Sequence, residues 1–567
     1  MTDPADLVLT NATVHTLEAP DRTAGAVAVR DGRIIRVDSA AEVDFLDGVE
    51  TRTVDLGGRV LLPGFIDAHT HMEQVGQHRV HADLSGAEGS AECVERLREN
   101  ARERAADGDG ERNVDDEGSQ GREWILGFGY DESGWGEPRY LTREDLDRVS
   151  TDRPVAAFRV DMHTASLNGV ALSRLEGDLP ATDVHTSGGE PTGVLVESAL
   201  GPVREAIDPD RTETRELLCA AQERAHELGI TGVHDMVRRS HAPRVYRNLD
   251  REGELALRVR INYWSDHLDA LSEVGLATNH GNGLVRAGAI KTFTDGSFGG
   301  RTAKLSEPYA DAGREDGGDV ASEDDGADGT DAPESREAGS DASGGRTEGD
   351  GSGVEAGQWV VPPAELDDLV GRADGAGFQL AAHAIGDEAI DAALSAYEDA
   401  PAPADARHRV EHAELLDETA IERFADAGVV ASVQPNFLQW AGTDGLYDAR
   451  LGTERRERTN RFRDLVDAGV PLAFGSDCMP LGPLFGVHHA VNASVEAQRL
   501  SVTEALRAYT SGAAYAGFDE HRVGTIEPGK RADLVALDRS PWERPDGIEA
   551  IDIALTVVDG EVVHDAR

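Results

Sequence analysis

Cysteines are few in this chain of 567 residues. Cys93, Cys219 and Cys478 lie far apart in the sequence, which excludes a disulfide framework and a cysteine metal cluster. The chain also lacks an uninterrupted apolar run of about 18 residues, the length that suits a transmembrane helix. Its start, MTDPADLVLT, has neither the basic region nor the long apolar stretch of an ordinary secretory signal. These absences predict a soluble, cytoplasmic protein.

Positive charge is scarce as well. The chain has 55 lysines and arginines against 107 aspartates and glutamates, a formal net charge of −52. Because polyanions bind clustered cations, neither nucleic acid nor an anionic membrane is expected as a partner. Only Lys291, Lys304 and Lys530 are lysines. This composition resembles that of halophile proteins, whose acidic surfaces stay soluble where salt screens charge; a genomic bias towards arginine codons is the alternative explanation.

The two ends of the chain have the alternating pattern of β-strands, separated by turn residues. Near the amino terminus the pattern covers residues 7–9, 26–29 and 33–37, and near the carboxyl terminus it covers 532–537 and 555–563. The length suits one large catalytic domain with attachments. We therefore expect one small β domain that is built from both termini, residues 1–62 and 520–567.

The middle of the chain, residues 63–519, alternates short apolar strands with helical stretches, which is typical of an α/β fold. Eight candidate strands lie near residues 60–67, 229–235, 257–263, 287–294, 378–383, 408–412, 428–433 and 470–476. Eight such units predict a (β/α)8 TIM barrel, whose chemistry takes place at the carboxyl ends of the strands.

Two segments interrupt the barrel pattern. Residues 85–205 are too long for one connecting helix and contain strand-like and helix-like stretches, so we interpret them as an inserted subdomain. Residues 311–357 are rich in Asp, Glu, Gly and Ser and cannot bury enough apolar surface to order themselves. They are predicted to form a solvated, disordered loop; an interaction segment or a lid is the alternative.

Histidines stand where several predicted strands end. His69 and His71 are two positions apart, so in a strand they point to the same side, as two ligands of one metal ion would. His383 and His412 end two later strands, and imidazole ligands suit zinc and related metals. Each histidine by itself is more often a core or surface residue than a ligand, but several at successive strand ends favour a shared metal site. Asp477 follows another strand and could be a helix N-cap or a metal ligand that moves protons.

Lys291 stands in a buried-looking strand of a chain that otherwise uses arginine. If this position needed only a surface cation, arginine would serve. Arginine cannot serve where the side chain must lose its proton, because the guanidinium stays protonated in proteins whereas the lysine amine can become neutral. A neutral lysine amine reacts with CO2 to form a carbamate, whose two oxygens can bridge metal ions. A buried ion pair is the alternative interpretation.

Taken together, these positions resemble the binuclear amidohydrolase superfamily, and more narrowly amidohydrolase family 3, which includes N-substituted formamide deformylases. The motifs that carry the resemblance are His69-x-His71, Lys291-x-Phe-x-Asp295-Gly-Ser with Arg301-Thr-Ala, His383-Ala-Ile-Gly-Asp387, Arg409-Val-Glu-His412, Gly475-Ser-Asp477, Trp124-Ile-Leu-Gly-Phe-Gly-Tyr-Asp131, Asp161-x-His163-Thr-Ala with Asn168, Gly193-x-Leu-x-Glu197 and Gly524-Thr-Ile-Glu-Pro-Gly-Lys530-x-Ala-Asp533-Leu. The resemblance runs from about residue 6 to the end and fails only over 311–357.

The resemblance implies a role for each of these residues. His69 and His71 would bind one metal ion, His383 and His412 a second, and a carboxylated Lys291 would bridge them. Asp477 would bind the first ion and handle the proton. One or two zinc ions are implied, with manganese or iron as alternatives. His163, Asp295 and Arg301 would reach the substrate; for His163 a structural role is the alternative. The terminal segments would form a β-sandwich.

The implied activity is hydrolysis of the C–N amide bond of a small N-acyl or N-formyl compound by metal-activated hydroxide. A deaminase, or a cyclic-amide hydrolase of the same superfamily, is the alternative enzyme. A non-catalytic scaffold is the remaining hypothesis, but the presence of all six ligand residues argues against it. Base rates among oligomers suggest a homodimer.

Overall fold

The computed structural model describes residues 3–106, 123–160, 162–180, 182–312, 356–401 and 403–567. Its largest sheet has eight parallel strands, each hydrogen-bonded to the next in chain order. They are β1 (Phe65–Thr70), β2 (Ile230–Val237), β3 (Arg258–Trp264), β4 (Val285–Phe293), β5 (Leu380–Ala384), β6 (Arg409–His412), β7 (Val430–Val433) and β8 (Leu472–Phe474). Just after β8, the amide of Asp477 donates to the carbonyl of His69 on β1 over 2.8 Å. The sheet is therefore a near-closed barrel, which confirms the predicted α/β fold with eight parallel strands.

Seven of the predicted strands agree with β2 to β8 to within two residues at each end. The first, 60–67, is wrong as a single strand. Val60–Pro63 belongs to another sheet, and β1 starts at Phe65. The break is at Gly64, where a Cβ atom would lie 2.3 Å from the side chain of Thr231. A continuous apolar run does not reveal such a break, because both strands are buried.

Helices cover the outside of the barrel, which explains why its strands are continuous apolar runs. Among the described residues, the α-helices of six residues or more are Met72–Val80, Ser90–Ala106, Gly169–Arg174, Leu200–Ala206, Arg211–Glu227, Ala242–Glu252, Leu268–Glu273, Pro363–Gly375, Asp387–Glu398, Glu418–Ala427, Leu446–Leu451, Phe462–Asp467, Pro483–Asn492 and Val502–Arg507. Their ends follow local chemistry. Asp417 caps Glu418–Ala427 by accepting from the amide of Ala420, and Gly428 ends that helix at a φ of 64°.

Two smaller sheets contain the chain termini. One has the strands Leu7–Thr10, Ala26–Arg30, Arg33–Asp38 and Arg52–Asp55; the other has Thr13–His15, Thr23–Ala24, Val60–Pro63, Leu534–Leu537, Ile553–Val558 and Glu561–Asp565. Val60–Pro63 pairs antiparallel with Leu534–Leu537, so both chain ends contribute to one sheet. Leu9 and Val54 of the first sheet share a buried core with Leu61 and Leu555 of the second. The boundaries of a β-sandwich domain stay a prediction.

A third sheet lies within the segment that interrupts the barrel after β1. Its strands are Ala82–Asp83, Ile125–Tyr130, Val155–Arg159, Thr164–Leu167, Val184–Ser187 and Glu190–Val196. Phe128, Phe158 and Leu195 are part of its own buried core. Of the predicted acidic loop, residues 313–355 lie outside the described residues. Among the described helices, none combines the length and apolarity that crossing a membrane requires.

Candidate metal centre

The six residues predicted to bind metal meet at the carboxyl end of the barrel. His69, Lys291, His383 and His412 lie on β1, β4, β5 and β6, and His71 and Asp477 follow β1 and β8 closely. Because parallel strands end at the same edge of a barrel, positions hundreds of residues apart in sequence become neighbours. All six are buried or nearly so.

Asp477 lies at the centre of the first half of this cluster. Its Oδ1 atom is 3.2 Å from Nε2 of His71 and 3.6 Å from Nε2 of His69. The rings of His69 and His412 have centroids 5.0 Å apart. One ligand atom each from His69, His412 and Asp477 lies within 4.8 Å of the others. Three side chains from different strands could thus contact one ion.

His383 and Lys291 extend the cluster on the other side of His412. The His383 and His412 rings are 4.4 Å apart, and the His383 and Phe293 rings are 4.2 Å apart. The amine of Lys291 lies 4.7 Å from the centre of the Phe293 ring. Lys291 is 1% exposed. A long aliphatic side chain therefore places its amine beside the histidines, inside the barrel.

The backbone around two of these residues is strained. His412 has a φ of 71° and Asp477 a φ of 54°, values in the left-handed region that non-glycine residues seldom adopt. Such strain collects at functional sites, where the surrounding structure enforces it. Gly475 lets β8 approach β1, because a Cβ atom there would lie 2.5 Å from the amide nitrogen of His69. The glycine of Gly475-Ser-Asp477 is therefore required by the close contact between this turn and β1.

Burial favours the neutral form of three of these histidines, His69, His383 and His412. It lowers the pKa of His383 to about 3, an effect that the nearby Lys291 cation reinforces. Burial also holds the pKa of His69 and of His412 well below its ordinary value. A neutral imidazole has one N–H and one bare nitrogen, which is the form that binds metal ions.

The donor set fits a divalent metal ion. Nδ1 of His383 and Nδ1 of His412 are buried and accept no hydrogen bond from any described residue. Nε2 of His69 lies 3.6 Å from the Asp477 carboxylate oxygen, a separation longer than an ordinary hydrogen bond. Imidazole nitrogens with a carboxylate oxygen are the ligands that zinc and related metals prefer.

A cavity of about 1370 Å³ opens above this cluster. Its lining includes His69, His71, His383, His412 and Asp477. The segment between β1 and β2 supplies further lining residues, among them Glu197, Leu200 and Arg204. A small molecule in this cavity would therefore contact both the barrel and the inserted segment.

The three residues predicted to bind substrate have different surroundings. His163 lines the cavity, and its Nδ1 is 3.4 Å from a carboxylate oxygen of Glu197. Arg301 is not among the lining residues and pairs with Asp311 over 2.9 Å. Whether either residue contacts a substrate stays a prediction.

Asp295 also lines the cavity but is fully buried. Its carboxylate accepts hydrogen bonds from the amides of Lys304, Ile385 and Gly386, over 2.8, 3.1 and 2.8 Å. Burial raises the pKa of this carboxyl to about 7. These bonds fasten the turn after β5, beside His383, to the segment after β4.

Sequence reasoning gave no role to several other residues at the site. Trp264 ends β3, Arg238 directly follows β2, and both line the cavity. The Arg238 guanidinium lies 5.4 Å from the centre of the Trp264 ring. Their positions at strand ends were the available signal. Phe437 and Trp440, after β7, complete an aromatic part of the wall.

Asp67 is a further residue of this kind. It lies on β1, is fully buried, and accepts from the amides of His69 and Ser476 over 3.1 and 3.0 Å. Burial raises the pKa of Asp67 to about 7. Its contacts join β1 to the turn after β8, and so hold His69 and Asp477 together.

Comparison with known proteins adds to this geometry. The sequence profile of the amidohydrolase family matches residues 52–564. Protein LONG AFTER FAR-RED 3 of Arabidopsis thaliana is 30% identical, over 99% of this chain and 92% of that protein. N-substituted formamide deformylase of Arthrobacter pascens is 27% identical, over 99% of this chain and 98% of that protein. The crystal structure of an uncharacterized metal-dependent hydrolase from Pyrococcus furiosus has a TM-score of 0.74 and 29% identity, over 94% of this chain and 99% of that chain.

Proposed function

The chain belongs to the amidohydrolase family, and we propose that it cleaves the C–N amide bond of a small N-acyl or N-formyl compound with the help of bound divalent metal. It is a hydrolase that acts on carbon–nitrogen bonds other than peptide bonds. The observation that carries the proposal is the convergence of His69, His71, His383, His412 and Asp477 at the floor of one cavity.

The proposed ligand sets follow from the two halves of the cluster. His69, His71 and Asp477 would hold one ion, and His383 and His412 a second. Lys291, carboxylated on its amine, would bridge the two. Zinc is the proposed metal, with manganese or iron as alternatives, because nitrogen and oxygen donors suit all three.

A bound divalent metal would supply a Lewis acid that polarises a carbonyl oxygen and lowers the pKa of water. Asp477 would take a proton from attacking water and pass it to the leaving nitrogen. Its side chain is 12% exposed, at the cavity floor, so it can reach a substrate. Asp67 positions the turn that carries it. His163, Asp295 and Arg301 are the proposed substrate-binding residues.

An N-formyl substrate is favoured by the full-length similarity to an N-substituted formamide deformylase. We also propose the domain division 1–62 with 520–567 as a β-sandwich, 63–519 as the barrel, and 85–205 as its insertion. The acidic composition supports a cytoplasmic location in a salt-rich cell. A homodimer is the proposed assembly.

The test is a substrate screen in high salt with the zinc-loaded protein and its chelator-treated form. The panel contains N-formyl amines, N-acyl amines, cyclic amides and aminated heterocycles, and the products measured are free acid, amine and ammonia. We expect acid and amine from an N-formyl or N-acyl compound, and no turnover after metal removal. Ammonia without amide cleavage would instead identify a deaminase. Turnover that persists in the metal-free protein would refute the proposal.

A further inference from the structure

A buried ion pair inside the barrel touches the candidate ligand His69. Nε of Arg409 donates to Oε1 of Glu411 over 2.7 Å, and the other oxygen, Oε2, lies 2.6 Å from Nδ1 of His69. Arg409 is 1% exposed and Glu411 is 0% exposed. Both come from β6, whereas His69 comes from β1. The cavity above the metal centre is lined by neither of the pair.

The Arg409 guanidinium also contacts residues on three other strands, β1, β7 and β2. Its Nη2 atom donates to the carbonyl of Ala68 on β1 and to Oγ of Ser432 on β7, over 2.7 and 2.8 Å. Its Nη1 atom lies 2.9 Å from Nδ1 of His234 on β2. A guanidinium held at four points cannot rotate, so the Glu411 carboxylate that it holds is fixed as well.

Donor and acceptor chemistry then determines the tautomer of His69. Arg409 can only donate, and the Glu411 carboxylate that accepts from it can only accept. The nitrogen that faces Oε2 must therefore carry the N–H. A neutral imidazole has only one N–H, so Nε2 is left with its lone pair, and Nε2 is the atom that faces Asp477.

We propose that Glu411 is a positioning residue which, held by Arg409, fixes His69 in the tautomer protonated at Nδ1 and so keeps Nε2 ready to bind metal. The inference rests on the proposed metal centre. It adds to that proposal a residue outside the cavity that acts through a ligand rather than on substrate. Carboxylates that orient a ligating histidine in this way strengthen metal binding by about 10- to 100-fold.

The test is Glu411→Gln, which keeps the shape of the side chain. The amide oxygen must still accept from Arg409, so the amide NH2 group faces Nδ1 of His69 and drives the histidine proton to Nε2. We expect zinc affinity, measured by competition with a chromophoric chelator, to fall about 10- to 100-fold. Unchanged zinc affinity in a folded Glu411→Gln protein would overturn the proposal.

Asp533→Asn is the matched control, since Asp533 is a buried carboxylate paired with a buried arginine, Arg258, away from the cluster. It should lower the melting temperature without changing zinc affinity. A fall in zinc affinity as large as that of Glu411→Gln would overturn the proposal, because it would show that affinity merely follows stability.

A second measurement needs no folded variant at position 411. The sample is chelator-treated wild-type protein with ¹⁵N-labelled histidine, studied by NMR. The ¹⁵N chemical shifts should show His69 protonated at Nδ1 and unprotonated at Nε2. The His69 signals are assigned by their loss in His69→Asn. Protonation at Nε2 would overturn the proposal even if zinc binds normally. Absence of stoichiometric zinc binding in the wild type would instead refute the proposed metal centre, so the two failures are distinguishable.

Discussion

Both ends of the barrel bury polar side chains, and two groups of them, one at each end, differ in their hydrogen bonding. At the amino end, the guanidinium of Arg258 donates to Asp533 and to Asp559, each over 2.8 Å, and joins the barrel to the sheet that contains the chain termini. At the carboxyl end, Nδ1 of His383 and Nδ1 of His412 are buried without a hydrogen-bond partner among the described residues. Burial alone therefore does not distinguish a structural polar group from a functional one.

What distinguishes the Arg258 network from the histidine cluster is whether donors meet acceptors. An arginine between two carboxylates gives every donor an acceptor and every acceptor a donor. That arrangement stabilises the fold and needs no bound ion. In the histidine cluster, Nδ1 of His383 and Nδ1 of His412 have no such partner among the described residues, and a metal cation would give them one. This agrees with the general division of such barrels, in which the carboxyl end carries chemistry and the amino end carries stability.

The largest expected effect is that of Asp477→Asn at the carboxyl end. The amide cannot move the proton, so turnover should fall by about 10²- to 10⁴-fold. The melting temperature should stay close to that of the wild type, because the Asp477 carboxylate forms no part of the amino-end network. Turnover within about threefold of wild type, in a protein shown to be folded, would remove Asp477 from the proposed mechanism.

Lys291→Arg comes next, because it keeps the charge but removes an amine that can form a carbamate. We expect the bound metal to fall from two equivalents to one and turnover to fall by about 10²-fold, or ~2.7 kcal/mol. Lys304→Arg is the matched control, since Lys304 pairs with Glu388 over 2.8 Å outside the cluster. If both variants keep full metal content and activity, Lys291 does not bridge metals.

Asp533→Asn tests the amino end. The change removes one of the two carboxylates that balance the buried charge of Arg258. The free energy of unfolding should therefore fall by about 3 kcal/mol. Asp559 still accepts from the same guanidinium, which limits the loss. Turnover per folded molecule should be unchanged. Chemical denaturation in high salt measures the first quantity and an initial-rate assay the second; a loss of activity without a loss of stability would contradict the comparison.

Much of the barrel can be predicted from the sequence, because parallel strands covered by helices must be apolar along their whole length. A polar residue at the end of such a strand is conspicuous, and this is how His383, His412 and Asp477 could be found. Gly64 shows the limit. The apolar run on either side of it conceals a change of sheet, which depends on a contact with Thr231.

The partners of the ligands could not be predicted in the same way. Glu411 and His69 are 342 positions apart, and Asp67 and Ser476 are 409 apart. No local pattern links such pairs, since their contact exists only after the barrel closes. Arg301 illustrates the same difficulty for substrate binding, because its ion pair with Asp311 is a feature of loop geometry rather than of a strand.

The smallest expected effect is that of Asn279→Gly, which removes a neutral partner at the amino end. Oδ1 of Asn279 accepts from Nη1 of Arg260 over 2.7 Å, and glycine readily adopts the φ of 73° found there. Loss of one hydrogen bond to a charged group should lower the free energy of unfolding by about 1.5 kcal/mol. Zinc affinity and turnover should not change, and Asn279→Asp should retain stability because its carboxylate still accepts. If Asn279→Gly weakened zinc binding, the two ends of the barrel would be energetically coupled. The conclusion that groups such as Arg258 stabilise the fold without affecting the metal centre around His412 would then be wrong.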